Sequence, residues 1–295
     1  MTGFTVVLNE SSRTAADNRA AIEDGLQQAG IHARVLAVRG PELADAAEHG
    51  AAAGGPLIAA GGDGTVSTVA SAAVRSGVTF GIIPLGTLNH FARDAGIPLE
   101  LEAAIGAIAA GHTQWFDVGE LNGRTFLNNV SLGFYPRIVR EREMEEAKGH
   151  RKWTAFAIAI TRTWIRYRTV NVRMTVDGAP LLRRTPFVFV ANGEYATEGL
   201  QLGTRASLNG ERLWIYVAPE CTRFEMLTMS LRALAGRLGP NVKLEIFSAA
   251  EISIDTRHEH IGVAIDGELL VERPPLRSAI RPRVLQMIVP GGSSA

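Results

Sequence analysis

The sequence predicts an α/β N-terminal domain with a parallel sheet, followed by a C-terminal antiparallel β-sandwich domain. Three observations predict this. Up to Ala110, short apolar runs of strand length alternate with amphipathic runs of helix length; strict alternation of this kind gives a parallel sheet with helices on both faces. After Gly111 the rhythm changes to many short strands punctuated by turn residues, with little helix between them. The charge balance turns over at the same place: residues through Val118 carry 6 Lys/Arg against 12 Asp/Glu, and the remainder carries 24 against 18. The expected domains are therefore 1–118 and 119–295, with the C-terminal tail able to pack back on the first.

Each element follows from local pattern. Phe4 to Leu8 reads as a buried strand, Asn9 to Arg13 as a polar turn, and Ala15 to Ala29 as an amphipathic helix stopped by Gly30. A strand over Ala33 to Val38 precedes a helix over Pro41 to Ala53, where proline suits a first turn. The third strand, Leu57 to Ala60, ends in Gly61-Gly62-Asp63-Gly64-Thr65, with a helix expected over Val66 to Val74. The fourth, Thr79 to Ile83, turns through Pro84 to His90 into a helix around Phe91 to Ala95, and another helix covers Leu99 to Ala110. In the second half, Gln114 to Leu121 and Thr125 to Val130 flank Asn122-Gly123, a strong hairpin signal. Ile138 to Arg168 is a long charged-to-apolar segment, helical in its second half. Strands are expected over Val170 to Val176, Pro186 to Ala191, Leu213 to Val217, Val242 to Phe247, Glu251 to Asp255, Ile261 to Ile265, Leu269 to Glu272 and Val284 to Val289, with one helix over Arg223 to Leu238.

Composition bounds the class. A chain of 295 residues that is 46% hydrophobic builds a sizeable core and is not a disordered chain. The single Cys221 cannot close an internal disulfide, which points to a reducing compartment such as the cytoplasm. Met1-Thr2-Gly3-Phe4 shows no secretory pattern, and no apolar run reaches the roughly 20 residues that span a bilayer. The seven histidines and Cys221 show no metal-ligand spacing.

In parallel sheets, ligands bind beyond the carboxyl ends of the strands. Asn9, Gly62 and Gly86 all lie just past such ends. Glycines at a strand-to-helix turn let a ligand approach bare backbone, and a helix start offers unpaired N–H groups to phosphate. Asp63 disturbs a simple anion cradle, because a carboxylate beside phosphates is repulsive unless a metal or a proton intervenes. That conflict points to catalysis. The run is neither a Walker A loop nor a dinucleotide fingerprint.

The motifs resemble those of the diacylglycerol kinase catalytic family, which includes bacterial lipid kinases, sphingosine kinases and ceramide kinases. Ala60-Gly61-Gly62-Asp63-Gly64-Thr65 looks like the nucleotide loop, and Pro84 to Arg93 (PLGTLNHFAR) is similar to the second signature. Asp117-Val118-Gly119, Phe126 to Phe134, Ala191-Asn192-Gly193 and Asp266-Gly267-Glu268 follow at familiar intervals, so the resemblance covers nearly the whole chain. The first motif is shared with NAD kinases and phosphofructokinases; the second motif and the closing Asp-Gly-Glu favour lipid kinases. The fold implied is the NAD kinase/diacylglycerol kinase-like one.

The resemblance implies transfer of the γ-phosphoryl group of ATP to a lipid hydroxyl, with Mg²⁺ as cofactor and the active site in the interdomain cleft. It implies nucleotide contacts at Asn9, Ser11, Ser12 and Arg13, at Gly61, Gly62, Gly64, Thr65, Val66 and Ser67, and at Gly86, Thr87 and Asn89. Asp63 is expected to act in catalysis and to hold Mg²⁺ with Asp117, and Glu268 is the expected general base. Without that context, Asp266-Gly267-Glu268 reads as a hairpin turn. Three departures stand out: His90 replaces an Asp common in relatives, Asn209-Gly210-Glu211 stands where relatives often read Asp-Asp-Gly, and the turn after Asn9 lacks the usual Pro and Gly. His90 and Asn209-Gly210 prompt the alternative of a catalytically impaired nucleotide- or lipid-binding sensor; an NAD kinase-like metabolite kinase is a further alternative. Between Arg137 and Arg173, ten Lys/Arg and four Asp/Glu are interleaved with Trp153, Phe156 and Trp164. Such a segment suits peripheral contact with an anionic membrane face as well as it suits a core helix, and no nucleic-acid module accompanies it.

Overall fold

A computed structural model describes residues 3–10, 15–133, 169–195, 205, 207–220, 225 and 244–291. The chain divides into two compact units: Met1–Val118, Gly203–Gly210 and Arg281–Ala295 form one, and Gly119–Leu202 with Glu211–Ile280 the other.

In the first unit, strands β1 (Phe4–Asn9), β2 (Ala33–Val38), β3 (Leu57–Gly61) and β4 (Phe80–Pro84) lie side by side in the order β2-β1-β3-β4, all parallel. The final strand, β16 (Leu276–Ile288), pairs in parallel with β4 through Met287 and Phe80. Alternate strand residues face opposite helix layers. Val6, Leu8, Ile58, Ala60 and Ile83 pack against Ile22 and Leu26 of α1 (Ala15–Gln28) and Ile105 and Ile108 of α5 (Leu101–Ala110). On the other face, Gly50 of α2 (Leu43–Ala52) seats directly against Thr5 and Leu57, where a Cβ would collide with the Leu57 side chain at 2.7 Å. Pro41 stands in a short 3-10 turn, Gly40–Glu42, rather than in α2 itself.

The order has a consequence for ligands. β1 connects outward to β2 on one side, and β3 lies on its other side, so strand order reverses between β1 and β3. The carboxyl ends of those two strands, Asn9 and Gly61, flank the crevice where open α/β sheets bind ligands.

In the second unit, a six-stranded antiparallel sheet runs β12 (Glu245–Ala249), β11 (Leu213–Val217), β10 (Phe187–Asn192), β7 (Asn129–Gly133), β14 (Ile261–Ile265), β15 (Glu268–Glu272). A second antiparallel layer contains β9 (Ala179–Thr185), β8 (Val170–Val176), β13 (Glu251–Thr256) and residues of β16 up to Ile280. Val130, Leu132, Val188, Val190, Ile215 and Val263 from the first sheet share one core with Val172, Met174, Ile252, Ile254 and Leu276 from the second. Asn122, between β5 (Thr113–Leu121) and β6 (Arg124–Phe126), has φ 47° and Gly123 has φ 83°, the left-handed pair that a two-residue hairpin needs.

Other elements also depart from the sequence expectation. Helix α3 spans Asp63–Ser76, beginning three residues before Val66, so Asp63 and Gly64 form its first turn. The strand expected over Thr125 to Val130 is two, β6 and β7, because the Asp266 carboxylate takes the backbone N–H groups of Leu127, Asn128 and Asn129 out of the ladder. Strand β9, with Pro180 and two arginines, does not read as a strand; it lies at a sheet edge, where proline and charge are tolerated. Strand β16 begins at Leu276 rather than Val284, its pattern being interrupted by Pro282 and by Arg283 at φ 52°. The Ile138 to Arg168 segment and the Arg223 to Leu238 helix lie outside the described residues.

Candidate active site

The site in the first unit is built where β3 ends. Gly62 caps α3 with extended backbone (φ −90°, ψ −173°), and the first intrahelical bond is Val66 N–H to Gly62 O at 3.0 Å. The N–H groups of Asp63, Gly64 and Thr65 therefore have no intrahelical acceptor and lie at the positive end of the helix. Thr65 and Val66 are buried; the Thr65 hydroxyl packs over Gly61 and accepts a hydrogen bond from Asn9 Nδ2 at 3.0 Å, which ties the end of β1 to the first turn of α3. Ser67 is half-buried one residue further along α3.

The second glycine turn meets the first. A Cβ on Gly86 would lie 2.6 Å from the Gly62 Cα, so the two backbones touch and neither turn admits a side chain there. Asn89, at φ 50°, closes the second turn: its Oδ1 accepts the Gly86 N–H at 3.0 Å and its Nδ2 donates to Gly86 O at 2.8 Å. The Asn89 amide is thus committed to shaping the turn, while Thr87 remains exposed at its tip. Helix α4 (His90–Asp94) follows, and its Phe91 N–H donates to Asp63 Oδ1 at 3.4 Å. That contact is long, and among the described residues it is the single hydrogen bond the Asp63 side chain makes. Most acceptor positions of this half-buried carboxylate are left open, which suits a hard cation such as Mg²⁺.

Gly64 is different from its neighbours. Nothing lies within 4 Å of where its Cβ would be, so the fold itself does not require glycine there. Gly64→Ala is expected to leave stability unchanged or raise it by up to about 1 kcal/mol, since alanine is the better helix former. Nucleotide affinity is expected to fall roughly tenfold or more, about 1.4 kcal/mol, because the methyl group would occupy the open backbone approach. Thermal melting alongside nucleotide titration checks both.

Asp117, at the end of the first unit, is buried and its Oδ1 accepts the Arg283 N–H at 2.9 Å. Among the described residues, no cluster of three or more His, Cys, Asp or Glu side chains could hold a metal. The Asn209 amide head lies among Leu208 O at 2.9 Å, Trp115 O at 3.3 Å and Gln114 Nε2 at 3.2 Å, with the Asp117 N–H 3.4 Å from it. Ser11, Ser12 and Arg13 lie outside the described residues.

In the second unit, Asp266 (φ 47°) and Gly267 (φ 87°) form the two-residue turn between β14 and β15, and Glu268 is the exposed first residue of β15, paired with Ile265. The hairpin reading and the functional one divide the motif between them. Asp266 is a latch: it accepts from Leu127, Asn128 and Asn129 at 2.8, 2.8 and 2.9 Å, and Asn192 holds the same loop through Leu127 O and Asn128 O. Asp177 performs the same service at the β8–β9 turn. The Glu251 N–H above all, with help from the Ala250 N–H and Arg212, holds its carboxyl below the usual range. Burial pushes the Tyr216 phenol up to about 12, so it stays protonated near neutrality and accepts the Tyr195 N–H at 3.0 Å. Asp266→Ala would strand three backbone donors and is expected to cost about 3 kcal/mol or more, read as a lower denaturation midpoint.

Sequence reasoning missed one pair. Arg205 Nε donates to Asp94 Oδ2 at 2.7 Å, both side chains are fully buried, and the guanidinium lies 5.6 Å from the Phe91 ring centroid. No spacing signal links residues so far apart in sequence.

Residues 3–121 match the diacylglycerol kinase catalytic domain and residues 129–289 the YegS C-terminal NAD kinase beta sandwich-like domain. The chain belongs to the diacylglycerol kinase family of lipid kinases. One relative, described as a probable lipid kinase YegS-like from Pseudomonas aeruginosa (strain PAO1), is 31% identical over 242 residues, 80% of this chain and 77% of that protein. A probable lipid kinase YegS from Salmonella arizonae is 36% identical over 145 residues, 46% of this chain and 48% of its own. In fold, the chain is similar to a diacylglycerol kinase from Bacillus anthracis (TM-score 0.75, 22% identity, 98% of this chain and 97% of the other). The α/β domain and the antiparallel sandwich-like domain are those of this kinase family. Among the described residues, no helix is long and apolar enough to cross a membrane.

Proposed function

We propose that this chain transfers the γ-phosphoryl group of ATP, with Mg²⁺ as cofactor, to the hydroxyl of a diacylglycerol-like lipid presented at the inner face of a membrane, working from the cytoplasm. The observation that carries this reading is Asp63 in the first turn of α3: a carboxylate with open acceptor positions beside unpaired helix N–H groups and an open Gly64. Mg²⁺, when bound, would neutralise charge on the phosphates that Asp63 would otherwise repel.

The chain's own residues divide the work. Asp63 and Asp117 offer carboxylate oxygens to the cation. The N–H groups of the α3 start receive phosphate oxygens, with Gly61, Gly62 and Gly86 keeping the backbone bare, and Thr65 and Asn9 fixing the rim. Ser11 to Arg13, Thr87 and the Val66-Ser67 turn of α3 complete the proposed nucleotide contacts. Glu268 accepts the proton of the lipid hydroxyl as its oxygen bonds to the γ-phosphorus, and the bond to the bridging oxygen of ADP breaks. His90 and Asn209 favour a second reading, a protein that binds nucleotide or lipid without transfer, because neither supplies the carboxylate found in many relatives.

Purified protein with radiolabelled ATP, Mg²⁺, and either mixed micelles of diacylglycerol, phosphatidylglycerol, sphingoid bases or prenols or NAD as the acceptor decides between them. Label in an organic-extractable product is the expected result. Nucleotide binding with no labelled lipid would support the second reading, and transfer confined to NAD would overturn both.

A further inference from the structure

The Asp94–Arg205 pair takes no part in the chemistry above, yet both of its charges are withdrawn from water. Such pairs are poor stabilisers, since apolar side chains of similar volume hold a fold as well. What a buried pair does supply is direction, and here the direction is toward Asp63.

Helix α4 has five residues, too few to hold itself together. Its entry is fixed by the Asn89 clasp on Gly86. Its exit is fixed by Arg205, which grips the helix twice: Nε at 2.7 Å and the backbone N–H at 3.3 Å on the Asp94 carboxylate, and the guanidinium over the Phe91 ring three residues earlier. Phe91 is fully buried and meets Phe116 edge-on at 6.5 Å, so its ring has no freedom to slide. Its own N–H is the donor to Asp63.

We infer that Arg205 is a positioning residue for Asp63. Through Asp94 and the Phe91 ring it sets the height and rotation of α4, and α4 sets where the Phe91 N–H meets the Asp63 carboxylate. Arg205 is then part of the cation-holding machinery of the first unit, although it arrives in the sequence after most of the second. This inference rests on the proposed role of Asp63 in holding Mg²⁺ with the nucleotide.

The test uses the full chain with Arg205→Met/Asp94→Leu, which removes both charges together, and Arg205→Lys, which keeps the charge without the planar fork. Two quantities are read: exchange of the Phe91 amide by NMR, and the Mg²⁺ concentration at half-saturation of ATP binding by calorimetry. Both are repeated in an Asp63→Asn background. The expected result is a folded double variant whose Phe91 amide exchanges faster and whose Mg²⁺ midpoint rises about tenfold, as for other residues that support ligands from behind. Arg205→Lys should recover part of that loss, and the shift should vanish when Asp63 is already Asn. A folded double variant with unchanged Phe91 exchange and an unchanged midpoint would overturn the inference, as would an equal shift in the Asp63→Asn background. If the double variant does not fold, Arg205→Lys decides on the same two readings. An Asp63→Asn midpoint equal to the unsubstituted protein's would refute the role of Asp63 instead, and Phe91 exchange alone would then decide the positioning of α4.

Discussion

Asp63→Asn is expected to lower phosphoryl transfer about 10²–10³-fold while the protein remains folded. The substitution keeps the shape of the side chain and an oxygen able to accept the Phe91 N–H, so the local geometry survives. It removes a negative charge from the first turn of α3, where such a charge stabilises by only about 0.3–1 kcal/mol. The cost should therefore fall on function, and it should appear in the Mg²⁺ dependence of ATP binding as well as in turnover. Wild-type turnover in this variant, at any Mg²⁺ concentration, would remove Asp63 from the chemistry.

Glu268→Gln is the complementary case. A general base contributes about 10²–10⁴-fold, and that is the expected loss in turnover. ATP affinity should stay close to that of the unsubstituted chain, because Glu268 belongs to the second unit and the proposed nucleotide contacts belong to the first. Stability should also hold: the side chain is exposed at the start of β15, and its neighbour Asp266 makes the bonds that fix the turn. An active Glu268→Gln variant would assign the proton to some other acceptor. A destabilised one would mean that Glu268, like Asp266, holds the loop at 127–129.

Much of this was legible in the residues. The period of apolar runs gives the parallel strands and most helices of the first unit, because each buries one face in a way a one-dimensional pattern can record. Asn122-Gly123, Asp177-Gly178 and Asp266-Gly267 announce their turns, since few other dipeptides accept two left-handed residues in succession. What failed to show was set by distant partners. Thr125 to Val130 has the composition of one strand and becomes two because of a carboxylate at position 266. The start of α3 moves back to Asp63 because Gly62, extended against the Gly86 backbone, serves as its cap. Edge strand β9 hides because exposure relaxes the demand for apolar residues. In the site, glycines and carboxylates declare themselves by being out of place among apolar neighbours. Arg205 does not, because a lone arginine looks like surface until its partner is known.

The path of the chain also bears on biosynthesis. The open side of β4 waits for Met287, and buried Asp94 waits for Arg205. Both partners leave the ribosome long after residue 118. During translation the first unit must persist with an unpaired strand edge and an uncompensated charge until those segments emerge. A chain cut after Val118 would stay in that state permanently, so it is expected to aggregate when expressed alone. Interruptions late in the message would therefore injure the part of the enzyme encoded first.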